Sequence, residues 1–571
     1  MTRKPSADVL IIGSGAGGGT VAKVLTEAGV SCLMLEAGDW FDTARDSAML
    51  AWNHDAPFLG ATTNGRPAYD ATRGGWRISG EPYTNAAGSG FTWFRSRMLG
   101  GRTNHFGRIW LRMGPDDFKP SRWDGKGVDW PLSYEELAPY YDKAEHLIGV
   151  YGSVQDWPNL PAGRYMPPPE PRCHEHFLSA VCKPLGIPVR PISRAVLTRS
   201  HNGRPACHYC GQCYRGCSSA SNFSSPTVLL PPALATGKLE IRCGAMAREI
   251  LVNPQGQAVG VSYIDTRSGE ERVVYGNAVV VAGGTCETAR LLLNSRSAQF
   301  PEGIGNAGGH LGRHLMDTAC HMTRAHIPAL MKLPPHNCDG AGGAHNFIPW
   351  WLHSAQARDQ LPFTRGYQTL FGSSRSMPEP ISAGSGVSVL LGGGYGRSLK
   401  QKYRDYYGST VYFASGGDML PNDHSFVEVD NHVLDRWGIP ALKFHFAWGK
   451  DELAQLAHAR KTYAEIIEAM GGTILSEATS GNDATASFRG GAMYHEVGTA
   501  RMGKRENDSV VNSHSQTWGC RNVFVADGAV FPGISWKNPT STIMALAWRT
   551  AEGLLDKARR GELRANAQEA S

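Results

Sequence analysis

The sequence predicts an α/β protein with a Rossmann-like domain and a second domain built on an antiparallel sheet. Three observations carry that expectation. In residues 8–36 an apolar run, 9–12, ends in Gly13-Ser14-Gly15-Ala16-Gly17-Gly18; an amphipathic segment with Val21, Val24 and Leu25 follows, and a second apolar run, 32–35, ends at Glu36. Far downstream a further strand–turn–helix recurs in residues 278–293, around Gly283-Gly284-Thr285, so the same sheet resumes after an excursion. Between that unit and the C-terminus, residues 320–446 are poor in helical periodicity and rich in glycine, aromatics and short alternating runs such as 425–429, the pattern of an antiparallel sheet.

The first stretch reads as strand, glycine turn, helix, strand, acid. Gly13 permits the tight turn, Gly15 lets backbone approach a pyrophosphate, and Gly18 lets helix and strand pack closely. Free N–H groups at the helix start favour the pyrophosphate charge, and Glu36 falls where a carboxylate accepts from a ribose hydroxyl. A dinucleotide site follows, with its chemistry unspecified.

Composition bounds the rest. At 571 residues the chain is too long for one simple core, and two interleaved domains are expected. With 41% hydrophobic and 19% charged residues it can bury a large core, which excludes wholesale disorder. The net charge of +6 comes without a long basic run interleaved with aromatics, which excludes nucleic-acid binding. No run approaches a membrane span, so an integral membrane protein is not expected. Residues 1–7 form a short polar lead-in and no secretory signal, so export is expected only with a signal-bearing partner.

Taken in order, residues 53–90 read as long loops with a short hairpin. In 98–107 the pair Gly100-Gly101 precedes small polar residues, which suits backbone pressed against a planar ligand. His105 there is a contact to that ligand, a covalent attachment point or a hydrogen-bonded structural residue. Ser133-Tyr134-Glu135-Glu136 is a capping box that opens a helix to Ile148. A proline-rich crossing at 158–171 leads to a short helix at 176–184 and a strand at 189–198. Strands at 239–243 and 259–264 precede the second strand–turn–helix, and 450–470 is a helix with Leu453, Leu456, Tyr463, Ile466 and Ile467 on its apolar side. A strand at 523–525 runs into Ala526-Asp527-Gly528. Asn538 fits an N-cap and Pro539 the first turn of a helix to about 558, while 565–571 frays.

Of 12 cysteines, Cys32, Cys173, Cys182, Cys243, Cys286, Cys320, Cys338 and Cys520 are scattered and read as buried small hydrophobes. The other four, Cys207, Cys210, Cys213 and Cys217, follow the spacing C-x2-C-x2-C-x3-C. Four thiolates on so short a loop can converge on one centre, and iron-sulfur clusters use such spacing. Structural zinc more often pairs two distant C-x2-C knuckles, and such short spacings strain disulfides. An iron-sulfur site is favoured, with zinc or free thiols as alternatives. No proline follows Cys217, so the ferredoxin match is incomplete, and both 3Fe–4S and 4Fe–4S clusters stay open.

Residues 494–503, Tyr-His-Glu-Val-Gly-Thr-Ala-Arg-Met-Gly, complete a set of motifs at both ends of the chain. With the glycine fingerprint and Glu36, the Gly100-Gly101 segment, Ala526-Asp527-Gly528 and Asn538-Pro539, they resemble the glucose–methanol–choline (GMC) flavin oxidoreductase family. The resemblance implies a Rossmann-like FAD-binding domain assembled from 1–110, 226–318 and 496–571. It also implies a substrate domain from 111–200 and 319–495, with the cysteine loop at 201–225. It makes FAD the dinucleotide, with Gly13, Gly15, Gly18, Glu36, Gly101, Asn104, His105, Asp527 and Gly528 at the cofactor. His495 takes the position of the catalytic histidine and Asn538 that of the second active-site residue. His105 is level with a histidine that carries flavin covalently in some branches and not in others. The cysteine loop, with Ser224-Ser225-Pro226 after it, is most similar to the glucoside 3-dehydrogenase branch; in the glucose dehydrogenase branch the first two cysteines are adjacent. Relatives of that kind work with a small export-signal-bearing subunit and a cytochrome c, which implies a cytoplasmic enzyme, or a periplasmic one if co-exported.

The expected chemistry is oxidation of a secondary hydroxyl of a glycoside or pyranose, at C3 in the nearest branch, with electrons leaving through the cluster. A neutral imidazole is the natural base near pH 7, so His495 takes the hydroxyl proton while Asn538, which cannot act as a base, orients the same hydroxyl. The helix start at Pro539 brings positive dipole to the site. Trp536 is the tryptophan expected at the substrate. The alternatives are a pyranose or alcohol oxidase with a structural cysteine loop, and a flavin-containing lyase without redox chemistry.

Overall fold

A computed structural model describes residues 5–46, 74–75, 78–154, 156–211, 213, 216–333, 343–373, 390–392, 394–482 and 488–562. Most of the loop expected at 53–90, Cys338 and the C-terminal stretch 565–571 lie outside the described residues.

Two sheets organise the chain. The first has a parallel part in the order Val523–Val525, Glu271–Val281, Ala7–Ile12, Cys32–Glu36, Leu239–Cys243. The long strand Glu271–Val281 serves two neighbours in turn. Its second half runs parallel to Ala7–Ile12, with Ile12 opposite Val281; its first half pairs antiparallel with Ala258–Asp265, which pairs with Ala245–Val252. Strand alternation explains the unbroken apolar runs: Val9, Ile11 and Met34 enter one core, while Leu10, Ile12, Leu33 and Leu35 enter another on the opposite face. Helices Ala16–Glu27 and Thr540–Arg559 cover the first face with Val21, Leu25, Ala551 and Leu554, and helix Thr285–Asn294 covers the other with Leu291 and Leu292. Each buried valine or leucine among them contributes about 1.5–3 kcal/mol.

The second sheet is antiparallel throughout, in the order Thr473–Thr479, His321–His326, Thr410–Gly417, Tyr367–Ser373, Asn346–Ile348, Arg190–Pro191. Helix Lys450–Ala469 lies on it, packing Tyr463, Ile466 and Ile467 with Phe371 and Phe413. The capping box holds as expected: Ser133 Oγ accepts from Glu136 N at 3.3 Å and Glu136 accepts from Ser133 N at 2.8 Å. The strand expected at 189–198 shrinks to Arg190–Pro191. Pro191 offers no ladder donor, and beyond it the chain makes isolated bridges instead, Arg194 to Ile109 and Tyr151, Val196 to Asn222.

Candidate active site

The glycine turn is pressed between two strand ends. Gly13 has φ +96°, and a Cβ there would lie 2.4 Å from the Ala282 carbonyl oxygen. At Gly17 a Cβ would come within 1.6 Å of the Ala526 oxygen, and at Gly18 within 1.9 Å of the Gly13 oxygen. Gly15 differs: a Cβ there meets nothing of the protein within 4 Å.

Glu36, at the end of the second strand, braces this turn. Its Oε2 accepts from Ser14 N at 3.1 Å and from the Ser14 hydroxyl, and its Oε1 accepts from Gly38 N at 2.8 Å. Ser14 Oγ in turn accepts from Gly100 N at 2.8 Å, tying the turn to the Gly100-Gly101 segment. Burial raises the Glu36 pKa, and the protein hydrogen bonds oppose that. A carboxylate has about four acceptor sites, so Oε1 keeps capacity for a ligand hydroxyl.

The turn opens onto a cavity of about 800 Å³ whose wall includes Gly13, Gly15, Glu36, Gly101, His105, Asp527, Gly528, His495 and Asn538. Gly18 and Asn104 stand behind that wall. Gly18 acts through packing, and Asn104 Nδ2 pins the left-handed pair Gly100-Gly101 by donating to Leu99 O at 2.9 Å and Gly101 O at 3.1 Å. Asp527 holds the far turn, accepting from Gly284 N at 2.9 Å, Thr288 Oγ1 at 2.6 Å and Ala529 N at 2.9 Å. Gly15 and Gly101 are both open where a Cβ would stand, Pro539 and Thr540 at the start of a 20-residue helix line the wall, and Glu36 is at the strand end. These features fit an extended dinucleotide such as FAD.

His495 and Asn538 meet on this wall, with Asn538 Nδ2 3.0 Å from His495 Nε2. The other ring nitrogen, Nδ1, lies 2.9 Å from Thr318 Oγ1, and Gln368 Nε2 donates to Asn538 Oδ1 at 2.9 Å. The backbone N–H of His495 donates to Asp317 at 3.0 Å. Burial, with Glu496 close by, raises the Asp317 pKa. Arg102, on the Gly101 segment, pairs with Glu496 at 2.5 Å. Burial, then the Arg102 charge, pushes His495 down to about 4, so its imidazole is neutral at pH 7. His105 is likewise pushed down to about 3, mainly by burial, and its Nε2 lies 2.9 Å from Ser96 Oγ.

Two expectations are corrected here. Asn538 is not an N-cap: the helix starts at Thr540 with Pro539 at the cap, because the Asn538 amide is engaged by Gln368 and His495. Trp536 does not line the cavity; it is buried in the core under the second sheet, with Lys537 Nζ 4.1 Å over its ring. Sequence patterns missed Ser14, Arg102, Thr318 and Gln368. A glutamine inside an otherwise apolar strand pattern was the one visible signal, at Gln368.

The cysteine loop touches the same cavity through Gly211. Its firmest tie is Arg108, fully buried, which donates to the carbonyls of Phe106 at 2.6 Å and Asn104 at 2.7 Å on one side and to Cys213 O on the other. Cys207 Sγ accepts from Tyr209 N at 3.4 Å, and Cys217 Sγ lies 3.4 Å from Ser219 Oγ. Burial, and to a lesser degree the other three thiols, push Cys207 up to about 12. Among the described residues no group of three or more His, Cys, Asp or Glu side chains is arranged to hold a metal, and no disulfide joins the cysteines. The other three thiols lie close enough to Cys207 to act on it electrostatically.

The profile of the GMC oxidoreductase family matches residues 7–320 with its N-terminal part and 421–547 with its C-terminal part. The chain is 30% identical to 2-methyl-1,2-propanediol dehydrogenase from Mycolicibacterium austroafricanum, over 96% of this chain and 95% of that protein. It is 26% identical to the fructose dehydrogenase large subunit from Gluconobacter japonicus, over 97% and 99% respectively. Among solved structures, pyridoxine 4-oxidase from Mesorbium loti shares the fold, with a TM-score of 0.62 over 96% of this chain and 99% of that one at 17% identity.

Proposed function

This chain belongs to the GMC oxidoreductase family, whose members bind FAD and oxidise CH–OH groups, and from that premise we propose that it is a sugar dehydrogenase. It oxidises a secondary hydroxyl of a glycoside or pyranose to a ketone, C3 being the first carbon to test. The observation that carries this is the 3.0 Å contact between His495 Nε2 and Asn538 Nδ2, on the wall of the cavity onto which the glycine turn opens.

Bound in that cavity, FAD supplies the two-electron acceptor. The chain's own residues handle the proton. In this proposal the ring proton of His495 is on Nδ1, 2.9 Å from Thr318 Oγ1, which leaves Nε2 free to accept. A hydroxyl entering beside Asn538 donates to Nε2 and accepts from the Asn538 amide N–H. His495 takes the proton at Nε2; Asn538, with no basic nitrogen, holds the oxygen in place. The helix that starts at Thr540 directs its positive end at the same wall.

The same reading makes Cys207, Cys210, Cys213 and Cys217 an iron-sulfur site, on their spacing and on Gly211 at the cavity edge. EPR of the reduced protein, with iron, zinc and sulfide assays, tests it: zinc or bare thiols would replace it. The name of one relative as a large subunit supports a partner subunit. In this proposal the partner is small and carries the export signal, a cytochrome c takes the electrons, and the enzyme is periplasmic with that partner and cytoplasmic without it.

An anaerobic panel of pyranosides and small diols, followed by flavin absorbance, tests the function. The diols belong in it because the 30% identical relative is named for one. Bleaching by a pyranoside, with little peroxide in air, supports the sugar dehydrogenase. Bleaching by diols alone moves the substrate class, stoichiometric peroxide makes the protein an oxidase, and no bleaching by any alcohol leaves the lyase.

A further inference from the structure

We infer that Gln368 is a positioning residue: it sets which end of the Asn538 amide faces His495, and thereby keeps His495 in the tautomer that can accept a proton at Nε2. The inference rests on the proposed role of His495 as base.

Four side chains form one hydrogen-bonded line. Gln368 Nε2 stands 2.9 Å from Asn538 Oδ1, Asn538 Nδ2 3.0 Å from His495 Nε2, and His495 Nδ1 2.9 Å from Thr318 Oγ1. The two ends, Gln368 in strand Tyr367–Ser373 and Thr318 just ahead of the bridge between Ala319 and Gly417, come from the side of the antiparallel sheet. The middle two come from the C-terminal segments around the cavity.

The line has a direction. Gln368 is 2% exposed, so water does not compete for its amide, and its Oε1 has no hydrogen-bond partner among the described residues. A buried amide N–H left without a partner costs more than a buried carbonyl oxygen left without one, so of the two orientations the favoured one spends the N–H on Asn538. That N–H occupies Asn538 Oδ1, which leaves only Nδ2 to face the imidazole. A donor 3.0 Å from Nε2 excludes a proton on Nε2, so the ring proton sits on Nδ1, toward Thr318. The charged groups around His495 are Arg102, its partner Glu496, and Asp317 under the backbone N–H. None of them hydrogen-bonds the ring, so ring polarity is set by the amide line. A reversed line would give Nε2–H, which cannot take a substrate proton.

Gln368→Glu keeps the shape and, once ionised, turns the donor into an acceptor. Asn538 must then turn Nδ2 toward residue 368 and Oδ1 toward His495, which demands Nε2–H. Two readouts follow. In steady state, kcat of the variant falls about tenfold per pH unit above the pKa of the new carboxyl and recovers below it, with KM little changed, while the wild type has no such limb. Gln368→Met, which neither donates nor accepts, lowers kcat about tenfold at every pH without a new limb. In 15N spectra, with the His495 signals identified by difference against His495→Ala, the wild type has Nδ1–H and bare Nε2, and Gln368→Glu at alkaline pH has Nε2–H. A wild-type pH profile for Gln368→Glu, or Nε2–H in the wild type, overturns the inference. If no alcohol reduces the wild-type flavin, the proposed function fails, and the 15N result still decides the role of Gln368.

Discussion

The glycine turn at 13–18 and the cysteine loop at 207–217 edge the same cavity, and both stand out in the sequence by spacing, but different things hold them. Around the turn every close neighbour is polypeptide: Ala282, Ala526 and Gly13 carbonyls occupy the places a Cβ would need, and Ser14 locks the turn to Glu36 and Gly100. Around the cysteines side-chain sulfur takes part, Cys207 Sγ accepting from Tyr209 N and Cys217 Sγ meeting Ser219 Oγ, both at 3.4 Å, and a backbone carbonyl, Cys213 O, ties the loop to Arg108. Spacing foretells a backbone-made site where sterics alone demand the residue type, as at Gly13, Gly17 and Gly18. A side-chain-made site is foretold only as a set of donors.

That contrast is open to direct tests. The largest effect belongs to Gly17→Ala, whose Cβ would stand 1.6 Å from the Ala526 oxygen. Backbone must move, at a cost of about 3 kcal/mol or more, and purified protein is expected with a lowered melting point and without flavin absorbance. Arg108→Met comes next. It strips hydrogen bonds from the carbonyls of Phe106, Asn104, Thr103 and Cys213, for about 3 kcal/mol in urea unfolding, and it lowers flavin occupancy because one guanidinium serves both regions.

Acid provides the third test. His495 and His105 are held at about 4 and about 3 against an ordinary 6.5, chiefly by burial. At these two groups the unfolded chain binds protons that the folded chain refuses, so their contribution to stability is full above pH 6.5 and declines as pH falls from 6.5 toward 3, while Asp317 and Asp418, raised by burial to about 7 and about 8, contribute in the opposite sense. Urea midpoints at pH 7.5 and 5 measure this, and replacing both histidines by glutamine should flatten the slope.

The smallest effects sharpen the comparison most. Gly15→Ala meets no protein atom within 4 Å, so as a change at a helix N-cap it should cost no more than about 1 kcal/mol of apoprotein stability while weakening FAD retention in a dilution assay. Cys207→Ser should cost less than about 1 kcal/mol in metal-stripped protein. A loss as large as that of Gly17→Ala would break the distinction between the two regions.

Local rules explain what the sequence revealed. The strand–turn–helix at the N-terminus, the Ser133 capping box and the helix Lys450–Ala469 depend on neighbours within a few residues, and each stands where its pattern put it, except that Leu453, expected on the apolar side of that helix, is exposed. The antiparallel sheet was visible as a class, though not its strand order, which needs pairings such as His321–His326 with Thr473–Thr479, and the alternating run 425–429 belongs instead to a separate sheet in which Phe426–Leu434 pairs with Pro440–His445. Asn538 satisfied the N-cap rule equally well, but two tertiary hydrogen bonds outweigh a cap worth about 1 kcal/mol. Thr318 and Gln368 were beyond reach because their partners lie on other segments: Asn538 is 170 residues from Gln368, and His495 is 177 from Thr318. Trp536 carried a strong apolar signal with no information about which wall it faces.

The central claim is that His495, on the cavity formed by the glycine turn, removes the proton of an alcohol as it is oxidised. Its most direct test is rapid anaerobic mixing of FAD-loaded His495→Ala with a sugar or diol that bleaches the wild-type flavin. The expected result is bound flavin whose reduction is slower by about 10²–10⁴-fold. Reduction at the wild-type rate would contradict the account.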